Sequence, residues 1–395
     1  MKVIPGGVTA AKGFRAGGIH CGIKYKNKDL ALIYSEDPCV ACGLFTQNKV
    51  QAAPISLSRA HLRNNRAQAI VINSGCANCC TGKQGIRDAR EICASVAEKL
   101  GISSNDVLAA STGTIGKRLP LKKIKKALGP LVDRLSPQRG LAAARAIMTT
   151  DTKPKQVAVE LKIGGTEVRL GGIAKGAGMI HPCLATMLAF ITTDAAIDKR
   201  RLEKALKDAV DNSFNSITVE GDTSTNDMVL ALANGKACNR GLRARDFKAF
   251  QKALDFVCLS LAKMIIKDAE GASRFVEIQV EQAKDIAQAK KVAFKVANSP
   301  LVKTAIFGGN PNWGRIAAAA GCADKAVRAD RLNIYLGAVK VLQKGAALNV
   351  NRERLNKIFR KGKIEIKIIL GLGRSAARVF TCDLSDRYVK INAEY

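Results

Sequence analysis

Histidine is scarce in this sequence: His20, His61 and His181 are the only three among 395 residues. They are too few and too scattered for a Ser/His/Asp triad or a histidine-based metal centre. Aromatics are equally thin, at 5% with a single Trp, which leaves little to stack on nucleic-acid bases. Proline is limited to 10 residues against 34 glycines, and 47% of the chain is apolar, so neither a disordered tail nor a collagen-like repeat fits. No apolar run approaches the roughly 20 residues that span a bilayer. The longest candidate, ATMLAFI at 185–191, ends at Thr192, Thr193 and Asp194, so no membrane association is expected. The opening MKVIPGGVTAAKGF has no continuous apolar segment before its glycines and charges, so no leader and a cytoplasmic address are expected. A P-loop is missing too, because STGTIGKR carries Ser111 where the first glycine belongs.

Acidic residues are in deficit, 33 against 64 Lys and Arg, a formal charge of +31. The basic runs at 117–126 and 352–367 mix Lys and Arg with Leu and Ile at helical or strand spacing, which reads as a solvated face rather than a track for nucleic acid. Such a surface concentrates small carboxylate substrates by long-range attraction. The 12 cysteines are too dilute for a disulfide scaffold and sit mostly among apolar neighbours, so reduced thiols are expected. Cys39, Cys42, Cys76 and Cys79 form two CxxC pairs of the kind that zinc knuckles use. The alternative is cysteine as a small packed residue. The long connection, with its own strand and helix, and the ambiguity added by Cys80 favour packing, and no metal is expected.

Periodicity places a buried strand at 68–72, then a helix with Ile86, Ala89, Cys93, Val96 and Leu100 on one face, stopped by Gly101. A strand at 106–110 and a hairpin over 155–173 turning at Gly164 and Gly165 follow. Beyond a glycine-rich stretch come a buried strand in TMLAFITTDA and a helix capped by Asp198. A long helix from Asp246 precedes the alternating strand RFVEIQV, and the last quarter, with LNIYLGAVKV and KIEIKIIL, is compatible with a smaller α/β unit from about 275. Mixed α/β order throughout is the expected fold class.

One loop has unusual punctuation. In KGAGMIHPCLATMLAFITTDA, Gly176 and Gly178 permit backbone closed to other residues and Pro182 stiffens the approach to Ala185 and Thr186. Such a loop can present the Thr186 hydroxyl to the Ala185 carbonyl, or it is simply a tight turn before a strand.

The blocks GFRAGGIHCGIK, NSGCANCCTGKQG, STGTIGKRLP, IMTTDTKPK, KGAGMIHPCLATML, SITVEGDTSTND, DAEGASRF, NPNWGRIAAAAG and YVKINAEY occur in this order along nearly the whole chain. In them the sequence resembles the ornithine acetyltransferases, or glutamate N-acetyltransferases, of cyclic arginine biosynthesis. The resemblance implies a four-layer α/β/β/α sandwich, shared with the DmpA-type N-terminal-nucleophile fold, with a smaller C-terminal α/β domain. It implies self-cleavage between Ala185 and Thr186 into an α chain, 1–185, and a β chain, 186–395, assembled as α2β2. Thr186 then acts as the nucleophile, with its own α-amine as base. Thr112 and Gly113 form the oxyanion hole, and Thr152, Lys175, Thr186, Glu270 and Asn392 bind substrate. The substrates implied are N2-acetylornithine and L-glutamate, with acetyl-CoA as an additional donor in bifunctional members, and no cofactor. An N-terminal-nucleophile amidohydrolase or aminopeptidase, which hands its acyl group to water, is the rival reading. The sequence departs from the family at Cys76 and Asn310, where Asn and Asp are common, and it ends before a Ser or Thr that usually follows INAxY.

Overall fold

A computed structural model describes residues 1–181 and 187–394, which divide into two units. The first takes residues 1–179, 187–215 and 222–265; the second takes 180, 181, 216–221 and 266–394.

Along unit 1 run β1 (Lys2–Ile4), β2 (Phe14–Ile19), β3 (Leu30–Phe45), α1 (Ala53–His61), β4 (Arg66–Cys76), α2 (Gly82–Leu100), β5 (Val107–Thr114), α3 (Leu121–Val132), α4 (Gly140–Ala146), β6 (Lys155–Ile163), β7 (Thr166–Lys175), β8 (Leu188–Thr193), α5 (Lys199–Asp211), β9 (Met228–Ala233) and α6 (Ala244–Lys267). The strands hydrogen-bond in the order β1-β6-β7-β8-β9-β3-β4-β5, with β2 also on β3. Only β4–β5 and β8–β9 are parallel among these pairs. Strand β3 is 16 residues long because it serves two neighbourhoods. Its first part pairs with β2 and β4, a register shift falls between Tyr34 and Cys39, and residues 40–45 pair with β9.

Alternation along the strands then builds layers. Ile33, Ile70, Ile72 and Leu108 from β3–β5 share one core with Ile173, Phe190, Leu230 and Leu232 from β7–β9, with α4 helping to fill it. The opposite-facing Leu30, Leu32, Val71 and Val107 pack instead on Ile92, Val96, Ile124 and Leu128 of α2 and α3. On the far side of β7, a side chain added at Gly172 would touch Leu261 of α6. Unit 1 is therefore helix, sheet, sheet, helix. Each fully buried Leu, Ile or Phe contributes about 1.5–3 kcal/mol of transfer free energy, so this alternation outweighs local strand propensity. The expected punctuation is found: Gly101 ends α2 at φ 66°, and Gly164 and Gly165, at 55° and 86°, turn the β6–β7 hairpin.

Unit 2 contains β10 (Phe275–Ala283), α7 (Ile286–Ala297), α8 (Pro300–Phe307), α9 (Trp313–Ala323), β11 (Asn333–Leu336), β12 (Val339–Gln343), β13 (Ala346–Ala347), α10 (Arg352–Phe359), β14 (Lys363–Ile369), β15 (Ser375–Cys382) and α11 (Asp386–Ala393). Its sheet runs β13-β12-β11-β14-β10-β15 and buries Val276, Ile278, Ile334, Ile366 and Val379 against Val292, Val296 and Ile316 of α7 and α9. Residues 216–221 join it through the Thr218 N–H, which donates to Phe380 O at 3.0 Å, and the Thr218 hydroxyl, 2.7 Å from Asn298 Oδ1.

Candidate active site

Strand β5 ends in Ser111-Thr112-Gly113-Thr114 beside the parallel end of β4, with Ser74 opposite Thr112 and Gly75 opposite Gly113. Thr112 is buried, and Gly113 adopts φ 127°, where side chains are strained. A Cβ there would stand 2.4 Å from Gly75 C and 2.6 Å from Cys76 N. Glycine is required for this approach of two strand ends. A buried hydroxyl and a glycine N–H on one rigid strand end are suitable donors for charge developing on an acyl oxygen.

The strand end is held by the 224–227 run of the same unit. Asn226 Nδ2 donates to Ala77 O at 2.7 Å and to Ser111 O at 2.8 Å, satisfying two buried carbonyls that flank Thr112 in space. Thr225 Oγ1 in turn donates to Asn226 Oδ1 at 2.6 Å, which fixes the amide orientation. Asp227 accepts the Met187 N–H on Oδ1 at 2.9 Å, while its buried Oδ2 makes no hydrogen bond among the described residues. Desolvation pushes the Asp227 carboxyl well above the usual carboxylate range, against the pull of the Met187 N–H and of Lys175. A buried acid whose charged form is disfavoured therefore holds the Met187 N–H.

A charged cluster lies at the ends of β6 and β7. Asp151 Oδ1 accepts from Lys155 Nζ at 2.7 Å and from the Gly176 N–H at 2.7 Å; Oδ2 accepts the Thr149 N–H at 3.0 Å and stands 4.0 Å from Lys175 Nζ. Burial alone would raise this carboxyl, but Lys175, Lys155 and the Gly176 N–H outweigh it and hold Asp151 at about 2. Asp151 so ties the backbone beside Thr152, which is exposed, to that beside Lys175, which is buried. Lys24 adds a further cation. Its stem would lie 3.0 Å from a Cβ on Gly75, and its Nζ donates to Met148 O. Burial lowers Lys24 to about 8, with Lys175 adding to the fall and Asp29 and Asp151 opposing it. The cluster has more cations than anions, as a receptor for a carboxylate requires.

In unit 2, Asn392 Nδ2 donates to Glu270 Oε2 at 2.9 Å. The pair is set by Gly271, at φ 68°, where an added Cβ would reach Tyr388 N at 2.5 Å, and by Ser385 Oγ, which donates to Gly271 O at 2.7 Å. The sequence-derived residues thus divide: Thr112, Gly113, Thr152 and Lys175 belong to unit 1, Glu270 and Asn392 to unit 2. Ala185 and Thr186 lie outside the described residues. Sequence reasoning did not single out Lys24, Asp151, Lys155, Asn226 or Asp227; their only signal was membership of the quoted blocks.

The four cysteines of the CxxC pairs are all buried, and Cys39 and Cys42 both lie on β3. Among the described residues no three His, Cys, Asp or Glu stand together as metal ligands. Cys79 lies 3.9 Å, sulfur to sulfur, from Cys80.

A family model described as the ArgJ family matches residues 15–395. The arginine biosynthesis bifunctional protein ArgJ of Dehalococcoides mccartyi is 50% identical over 401 residues, covering 100% of this chain and 98% of that protein. The protein of the same name from Gloeobacter violaceus is 50% identical over 399 residues, covering 99% of this chain and 98% of its own length. Among solved structures, that of the arginine biosynthesis bifunctional protein ArgJ from Bacillus halodurans aligns with a TM-score of 0.44 at 42% identity, covering 46% of this chain and 96% of that one.

Proposed function

We propose that this chain, which belongs to the ArgJ family, is an acetyl-transferring enzyme of arginine biosynthesis that moves acetyl from N2-acetylornithine to L-glutamate through Thr186. Cleavage precedes transfer. The Thr186 hydroxyl attacks the Ala185 carbonyl, the acyl group shifts from nitrogen to oxygen, and water hydrolyses the ester. That leaves chains 1–185 and 186–395 and a free α-amine, whose ordinary pKa of about 7.7–8.0 suits a base near neutral pH.

In the first half-reaction the amine takes the hydroxyl proton while Oγ attacks the acetyl carbonyl of N2-acetylornithine. The C–N bond breaks, the departing nitrogen receives the proton, and ornithine leaves. In the second half-reaction the α-amino group of glutamate attacks the acetyl-threonine ester, and Thr186 Oγ is released and reprotonated. Both tetrahedral intermediates place negative charge on the acetyl oxygen, which the Thr112 hydroxyl and the Gly113 N–H meet. Lys175 pairs with the substrate α-carboxylate, Thr152 and Asn392 supply hydrogen bonds, and Glu270 meets an amine. The observation that carries the reading is the strand end at Gly113, closed to any side chain, in a chain related to ArgJ proteins over its whole length.

The working form is α2β2, and its place is the cytoplasm; no described helix is long and apolar enough to cross a membrane. The test is ornithine release from N2-acetylornithine by wild type and Thr186→Ala. Wild type runs as two chains and releases ornithine in proportion to added glutamate; Thr186→Ala stays as one chain and releases none. Release indifferent to glutamate would instead indicate an amidohydrolase, and a cleaved Thr186→Ala protein would remove Thr186 from the reaction. Acetylation of glutamate with acetyl-CoA as sole donor tests the second activity.

A further inference from the structure

The sulfurs of adjacent residues ordinarily point apart, because successive Cβ atoms of an extended chain alternate sides. At Cys79 and Cys80 they converge. Asn78 at φ 49° and Cys80 at φ 57° both occupy the left-handed region, uncommon for side chains other than glycine, and the turn swings the two sulfurs to 3.9 Å. This is far beyond a disulfide of about 2.05 Å. It lies about half an ångström from the ~3.4 Å subtended by two bonds of about 2.3 Å at a trigonal-pyramidal thiophilic centre, a gap that a small side-chain rotation closes. Cys80 is exposed and Cys79 buried behind it, so a ligand can bond first to the outer sulfur and then close onto the inner one. Burial raises the Cys79 thiol above its ordinary value, which leaves it protonated at neutral pH. Since no third metal-ligating side chain stands with the pair among the described residues, zinc finds an incomplete site.

We infer that Cys79 and Cys80 form a vicinal dithiol site for trivalent arsenicals, which need only two protein sulfurs. The chemistry is condensation without change of oxidation state. An arsenous species R–As(OH)2 forms two As–S bonds; its two hydroxyls leave with the two thiol protons as two waters. Once the first bond has formed, the second is intramolecular, so retention against a competing monothiol exceeds that of a single cysteine by about a hundredfold or more.

The site is wired to the strand end at Gly113. The Gly116 N–H donates to Cys79 O at 3.0 Å and the Ala77 N–H to Thr114 O at 3.0 Å, so residues 77–79 bracket the segment just after Thr112 and Gly113. Closing the sulfurs on one arsenic draws on that backbone, and acetyl transfer falls at least tenfold.

The test uses purified, natively folded enzyme, phenylarsine oxide as the probe, dialysis against excess 2-mercaptoethanol, and intact mass spectrometry. Wild type should retain one arsenical, release it to dithiothreitol, and recover activity on release. Cys80→Ser, an exposed substitution that leaves the fold untouched, and Cys79→Ala should each lose retention about a hundredfold, whereas the Cys238→Ser/Cys322→Ser protein keeps it. An arsenical retained by Cys80→Ser, or none retained by wild type, overturns the site whatever the enzyme's reaction proves to be. Retention with unchanged activity overturns the coupling to Gly113.

Discussion

Gly113→Ala is the sharpest perturbation of the reaction. The added methyl would lie 2.4 Å from Gly75 C and 2.6 Å from Cys76 N, where ordinary contact begins at 3.4 Å, and both obstacles are backbone. Relief therefore demands a displacement of about 1 Å at one strand end, and a shift of that size at a reacting centre can cost about a hundredfold. With Gly113 as the proposed oxyanion donor, the loss approaches removal of that donor, about 2.7–4 kcal/mol or 10²–10³ in kcat. The interaction exists only in the transition state, so kcat falls with KM unchanged. The control is Gly82→Ala. Gly82 also has a positive φ, 61°, but nothing lies within 4 Å of its Cβ position, so that variant pays backbone strain alone, about 1–2 kcal/mol of stability, and keeps kcat. Steady-state ornithine release and a thermal melt of both proteins decide the matter. A folded Gly113→Ala enzyme with kcat within fivefold of wild type would refute the assignment of this strand end.

Three further outcomes follow from the polar anchors. Asp151→Asn leaves buried Lys155 and Lys175 facing a neutral amide and should cost about 3–5 kcal/mol in a denaturant titration. With its carboxyl at about 2 against an ordinary 3.8, Asp151 contributes about 2 kcal/mol that is present above pH ~4 and lost as pH falls through ~2, so the variant should lose that part of the acid sensitivity. Asp227 has the opposite sign: a raised carboxyl favours the fold below its unfolded pKa and loses that contribution as pH rises, so Asp227→Asn should gain on wild type in melting temperature as pH rises above about 4. Asn226→Ala strands the buried Ala77 and Ser111 carbonyls, at about 1–3 kcal/mol each, and should slow transfer as well as lower stability; a neutral variant would show that water replaces the amide.

What the sequence conceals here has a common physical origin. Helix α2 and the β6–β7 hairpin are legible because their signals are local: a 3.6-residue apolar stripe ending in Gly101, and two glycines between alternating runs. Strand β3 escapes periodicity, since Ser35, Glu36, Asp37 and Pro38 interrupt its apolar run; the register shift absorbs them and lets one strand feed both halves of the sheet. Asn226 was hidden differently. Its partners are backbone carbonyls 149 and 115 residues away, and a carbonyl has no sequence identity to match. Lys155 and Asp151 read as ordinary polar residues around a strand start, because burial of an ion pair depends on what covers it. The resemblance to a known family named Thr112, Gly113 and Lys175 without supplying the reason they hold their places. That reason lies in the second layer: an amide that satisfies two carbonyls, a buried acid that holds the Met187 N–H, and a carboxylate tied to both Lys155 and Gly176. A site built this way should tolerate change at exposed Thr152 more readily than at buried Asp151, its neighbour in sequence, because only the latter carries the geometry of both strands.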